Sequence, residues 1–113
     1  MADELSLAFS ALADPTRRDM LTRLASGEAT VTALAQRYDV SIQAVSKHLK
    51  VLEAAGLVSR TKDAQRRPVH IEPKVLDMMA GWIRRYQREA EARYGRLDEV
   101  LAEMNDIAKG ETA

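Results

Sequence analysis

Residues 41–57, SIQAVSKHLKVLEAAGL, decide how this chain is read. Ser41 is placed to cap a helix, because its hydroxyl can accept a hydrogen bond from one of the unpaired amides that open it. Gly56 stands where such a helix would close on a left-handed residue, leaving about four turns between the two. Ile42, Val45, Leu49 and Leu52 step by three, four and three, which predicts one shared buried face. The opposite face carries Gln43, Ala44, Lys47 and Lys50, flanked by Ser46 and His48, and holds no acid; Glu53 lies nearer the core edge. A helix that is apolar on one side and short, cationic and donor-rich on the other suits the major groove of DNA. An ordinary solvated helix would look similar, so the flanking sequence has to decide.

Upstream, Leu34, Ala35 and Tyr38 give a short helix an apolar face, with Thr32 as its expected cap. Asp39-Val40-Ser41 then reads as a three-residue turn with Val40 buried, and Ala44 is small enough for two helices to approach closely. Together these make a helix-turn-helix. Earlier still, Asp14-Pro15-Thr16 starts a helix that runs to about Ser26 and stops at Gly27, with Met20, Leu21, Leu24 and Ala25 inward. Arg17 and Arg18 in its first turn are expected to be solvated. Leu5, Leu7, Ala8, Phe9, Ala11 and Leu12 form a first helix that is apolar on more than one face, as a helix with two packing partners would be.

Downstream the period changes. Residues 57–62 and 68–72 can pair as two short strands around the polar tip 63–67, with Pro68 confined to an edge or a strand start. A hairpin with a basic tip after a helix-turn-helix is a wing, spanning about residues 57–72, and Arg66 and Arg67 would reach the backbone or the minor groove. Pro73 opens a long helix in which Leu76, Met79, Ile83, Tyr86, Leu97 and Leu101 lie on a seam of three- and four-residue steps; Gly95 is a point where it could bend. One small domain cannot bury so long a seam, which implies the same helix from a second copy. The expected fold is mainly α with a small β-hairpin wing, in the order α-α-α-α-β-β-α. Residues 1–73 form the winged helix-turn-helix and residues 74–113 a dimerisation helix within the same compact domain.

Composition narrows the function. The 113 residues carry no cysteine, which excludes disulfides, thiolate metal sites and cysteine nucleophiles. Their formal net charge is zero, but residues 41–67 alone balance at +4, a local footprint for phosphate. The N-terminus lacks a signal-peptide pattern and no apolar run approaches membrane length, so a cytoplasmic protein without membrane contact is expected. Ser46 and His48 are two apart on a helix and point away from each other, so they cannot form a nucleophile–base pair. Catalysis is not expected.

The segments ALADPTRR and AVSKHLKVLEAAGLV, within a match over about residues 8–73, resemble the ArsR family of bacterial winged-helix repressors, in particular its cysteine-free members. The resemblance implies a homodimer held by its first and last helices, which binds a roughly palindromic operator in double-stranded DNA and represses transcription. It carries DNA contacts to Gln43, Ala44, Ser46, Lys47 and His48 and to the wing at Arg66 and Arg67. The sensor departs from the family: with no Cys, and with His48 and His70 as the only histidines, metal regulation is not expected and no cofactor is implied.

Base contacts are therefore expected from Gln43, Ala44, Ser46 and Lys47. Phosphate or wing contacts are expected from Thr32, Ser41, His48, Lys50, Arg60, Lys62, Arg66 and Arg67. The dimer interface is expected at Leu5, Phe9, Leu76, Met79, Ile83, Tyr86, Leu97 and Leu101. The helix of residues 41–55 would enter the major groove and the wing of residues 62–68 would lie on the backbone or minor groove. The competing reading is a winged-helix protein–protein interaction module without DNA binding. The sequence identifies no small-molecule effector.

Overall fold

The computed structural model describes residues 3–61 and 67–111. Five helices and a hairpin follow in the order α1 (Glu4–Ala11), α2 (Pro15–Ala25), α3 (Val31–Tyr38), α4 (Ile42–Ala54), β1 (Val58–Arg60), β2 (Val69–Ile71) and α5 (Pro73–Glu111). The first four helices open on side-chain caps. Asp3 accepts from the Ser6 amide at 2.7 Å, Asp14 from Arg17 at 3.0 Å and Ser41 from Ala44 at 3.1 Å. The cap of α3 is Thr30, which accepts from the Ala33 amide at 3.1 Å, and not Thr32, which lies inside the first turn. Two threonines two residues apart offer the same chemistry, and local pattern does not choose between them.

Helix α4 packs against α1, α2, α3 and β1, so it is the element around which the core forms. Val45, Leu49 and Leu52 are fully buried along one side, and each buried side chain of this size contributes about 1.5–3 kcal/mol. Ile42, expected on the same face, is 50% exposed, and Val40, expected buried in the turn, is 47% exposed. The core starts at Val45, one turn into the helix, and the apolar period does not reveal where a core ends. For the same reason Ala25, at the end of α2 beyond the buried Leu24, is exposed.

The ends of the elements are set by backbone chemistry. Asp39 adopts a left-handed conformation (φ 53°) after α3, and the Val40 amide donates to the Ala35 carbonyl at 3.3 Å. After α4, Gly56 is also left-handed (φ 75°); its amide donates to Glu53 at 2.9 Å and that of Leu57 to Leu52 at 3.0 Å. This pair of bonds satisfies the last carbonyls of the helix. A side chain at Gly56 would meet Val75 Cγ2 at 2.9 Å.

Strands β1 and β2 run antiparallel with Val58 opposite Ile71, Ser59 opposite His70 and Arg60 opposite Val69. Pro68 stands just before β2, where its missing N–H costs no ladder bond, and its carbonyl accepts from Thr61 at 3.1 Å. Ala29 bridges the other edge of β2 at Val69, with bonds of 2.7 and 3.1 Å.

Arginines join the early helices. Arg17 Nε donates to the Ala11 carbonyl at 2.5 Å and Arg18 Nη1 to Leu12 at 2.7 Å, so both cap the free carbonyls at the end of α1 rather than standing solvated. Between α2 and α3, the Tyr38 hydroxyl donates to Asp19 at 2.6 Å and accepts from Arg23 Nε at 3.1 Å, while the Arg23 guanidinium lies 5.2 Å from the Tyr38 ring centre. Burial, reinforced by the Asp19 carboxylate, pushes the Tyr38 phenol up to about 12. The Asp19 carboxyl is held below its usual range, chiefly by the Tyr38 hydroxyl.

The chain forms two compact units, Met1–Met79 and Ala80–Ala113. Val75 and Met79, from the start of α5, are buried in the core of the first unit. Helix α5 continues through Gly81 and Gly95 without a break. Among the described residues no helix is long and apolar enough to cross a membrane.

Candidate nucleic-acid interface

The buried side of α4 fixes what its other side presents. With Val45, Leu49 and Leu52 in the core, Gln43, Lys47 and Lys50 are exposed, and Ala44 and Ser46 are half-buried at the edges. The four residues expected to read bases thus lie on the first two turns of one helix. Ser41 is committed to its cap, and its hydroxyl accepts from the Ala44 amide.

Glu53 is the single acid on α4, and Arg60 of β1 donates to it directly through Nε. That contact neutralises the acid at the edge of the basic face. The Arg60 side chain is thereby turned toward α4, and a phosphate contact from it would have to compete with Glu53. His48 is likewise directed inward, with Nδ1 4.0 Å from Asp14. The Asp14 carboxyl lies below its usual range, first because the Arg17 amide donates to it and then through the charges of Arg17 and His48. A phosphate contact from His48 would have to compete with that carboxylate. Both are contacts between different elements, and neither is visible in a helical wheel.

Thr32 is exposed and shares a groove with Ser41. The groove, about 420 Å³, runs between α3 and the start of α4 and is also lined by Gln36, Asp39, Val40 and Ile42, which the sequence reading did not assign to the surface site. Gln36 could have been found from its place opposite Leu34 and Ala35. Ile42 could not, because its spacing puts it with the core.

At the wing, Lys62 and Arg66 lie outside the described residues. Arg67 is exposed and left-handed (φ 41°). The base of the hairpin holds a polar cluster: Ser59 Oγ lies 2.8 Å from His70 Nε2 and donates to Glu72 at 2.6 Å, and Glu72 is 3.2 Å from the same ring nitrogen. A nucleophile–base–carboxylate relay needs the serine and the acid on opposite ring nitrogens, and here both meet one. The cluster instead ties β1 to β2. The Glu72 carboxyl is held below its usual range, first by the Ser59 hydroxyl and then by His70.

Of the residues expected at a dimer interface, Met79 is buried in the first unit's own core, and Leu5 and Leu76 pack against that core. Phe9 is exposed. In the second unit Ile83, Tyr86, Leu97 and Leu101 are all exposed, with Leu97 at 52%, and the rings of Trp82 and Tyr86 meet at 4.5 Å.

A helix-turn-helix domain family matches residues 12–61, which contain α2, α3, α4 and the start of the hairpin. The HTH-type transcriptional regulator Rv2034 of Mycobacterium tuberculosis is 40% identical over 80% of this chain and 84% of its own length. The transcriptional repressor SdpR of Bacillus subtilis is 31% identical over 66% of this chain and 83% of its own. Among solved structures, an ArsR-like transcriptional regulator from Rhodococcus sp. RHA1 superposes with a TM-score of 0.74 at 33% identity, covering 86% of this chain and 92% of that one. The homodimeric winged helix-turn-helix DNA-binding domain of Mb0332 from Mycobacterium bovis gives a TM-score of 0.62 at 27% identity, covering 77% and 81%.

Proposed function

This chain belongs to the ArsR family of winged helix-turn-helix transcriptional regulators, and from that premise we propose that it acts as a homodimeric repressor reading a palindromic operator. The observation that carries the reading is the exposed first half of α4, where Gln43 and Lys47 stand beside Ser46 on a face whose neighbouring acid is covered by Arg60. The amide and ammonium groups meet purine acceptors in the major groove, and the half-buried Ala44 meets a thymine methyl. Lys50, Thr32 and the wing arginines hold the backbone, which positions the helix without reading sequence.

Two copies place two such helices in successive major grooves, about 34–36 Å apart on one side of B-DNA. The exposed apolar residues of the second unit, Ile83, Tyr86, Leu97 and Leu101, join the copies, with Phe9 contributing from α1. The homodimeric neighbour and the repressor relative support this assembly and this direction of control. Bound at a promoter in the cytoplasm, the dimer represses by occluding polymerase.

The test is binding of the full chain to duplex from its own promoter region and to random duplex across a salt series. The expected result is tight, selective binding that weakens steeply with salt. Absence of binding to either duplex at low salt would overturn the reading and favour a protein-interaction module.

A further inference from the structure

Ile42 is the one residue of the apolar repeat of α4 that the core does not take. It sits in the first turn of the helix, 50% exposed, with Val40 beside it at 47%. The two line the groove with Ala35 at its floor, and its other walls come from Thr32, Gln36, Asp39 and Ser41, while Gln43 and Ser46 adjoin Ile42 on α4. A single exposed Ile or Val is unremarkable on a protein surface. Here, however, the apolar pair is enclosed by hydroxyl, amide and carboxylate groups at the end of the helix that enters the major groove first.

We propose that Ile42 reads the C5-methyl group of a thymine in each half of the operator. This rests on the DNA-reading function above and adds a residue to its base-reading set. The thymine methyl is the apolar feature among the hydrogen-bonding base edges of the major groove, so a small apolar patch inside a hydrogen-bonding rim is its complement. Phosphate is a poor occupant, because Asp39 on the rim repels it. A protein partner would bring a larger contiguous apolar contact than two side chains provide. Ile42 also extends further than Ala44, which is half-buried.

The experiment uses the full chain and a pool of random duplexes to select a bound sequence, and then replaces each thymine of that sequence in turn by deoxyuridine, which lacks only the methyl. With the unaltered protein, one thymine per half-site, besides the one that meets Ala44, should cost roughly fourfold in Kd per half-site when its methyl is removed, the value of one buried methyl. Ile42→Ala should bind more weakly and be indifferent to that replacement, while keeping its sensitivity at every other position. Because the side chain lies outside the core, the unfolding temperature of the variant should match the parent. If the parent tolerates deoxyuridine everywhere, or if Ile42→Ala keeps the full penalty, the assignment to Ile42 is overturned and DNA reading stands. If the parent selects no sequence at all, DNA reading itself falls, and the assignment with it.

Discussion

Gln43 and Arg67 are both exposed and hydrogen-bond capable, yet the proposed function gives them different tasks. Gln43 stands on the reading helix and Arg67 at the wing, where backbone contacts carry no sequence information. Gln43→Ala is therefore expected to change which sequence is preferred, and Arg67→Ala to weaken selected and random duplex by the same factor. Competition binding on both duplexes checks the division, and equal losses for the two variants on both DNAs would refute it. At this scale the residues legible in the sequence were those whose role is local. Asp14 and Ser41 cap helices that their own neighbours define, and Gln43 and Lys47 face outward because Val45 and Leu49 face inward. The contacts of Arg17, Arg18 and Arg60, and the approach of His48 to Asp14, were not legible, because only the folded chain brings those groups near.

Helix α4 is useful only if its ends are fixed, and Gly56 fixes one of them. Gly56→Ala combines a left-handed side chain, costing about 1–2 kcal/mol, with a contact at Val75 that is too short. Chemical denaturation should show a loss of at least that size. Val75→Ala introduced with it should recover only the part due to the contact. The joint between α2 and α3 has its own pH signature. A phenol raised in the fold favours its neutral form there, so the stability it supplies is present below about pH 10, the unfolded value, and is lost as pH rises through about 12. The lowered Asp19 carboxyl works in the opposite direction, its contribution being lost as pH falls through its depressed pKa. Tyr38→Phe removes the shared hydroxyl. The stability gap between parent and variant, measured by denaturant unfolding, should be widest near neutral pH and close toward both limits. A gap constant with pH would show that the hydroxyl does not link the two groups. The order of elements could be read in advance because caps, periods and the Pro68 break are all local signals. The extent of each apolar face could not, since Ile42 and Ala25 obey the period, and Val40 sits in the turn between two packed helices, yet all three fall beyond the packed core.

For the molecule as a whole, the seam of α5 was visible as a repeat, but its assignment to one partner was not. Val75 and Met79 are taken by the first unit, and the exposed residues begin beyond them. Leu97→Asp places a charge on the remaining seam at a position 52% exposed in the single chain. Sedimentation should show a dimer for the parent and a monomer for the variant, and a variant that stays dimeric would move the interface elsewhere. The intramolecular use of arginine has a wider consequence. Arg17, Arg18, Arg23 and Arg60 are engaged within the fold, while among the described residues of α4 and the wing Lys47, Lys50 and Arg67 are exposed. Each arginine held inside the fold is a charge withheld from arbitrary chromosome, which eases release from it. The protein's search would then proceed by short visits and frequent departures, and most of its dwell time would fall at the few addresses its side chains can read.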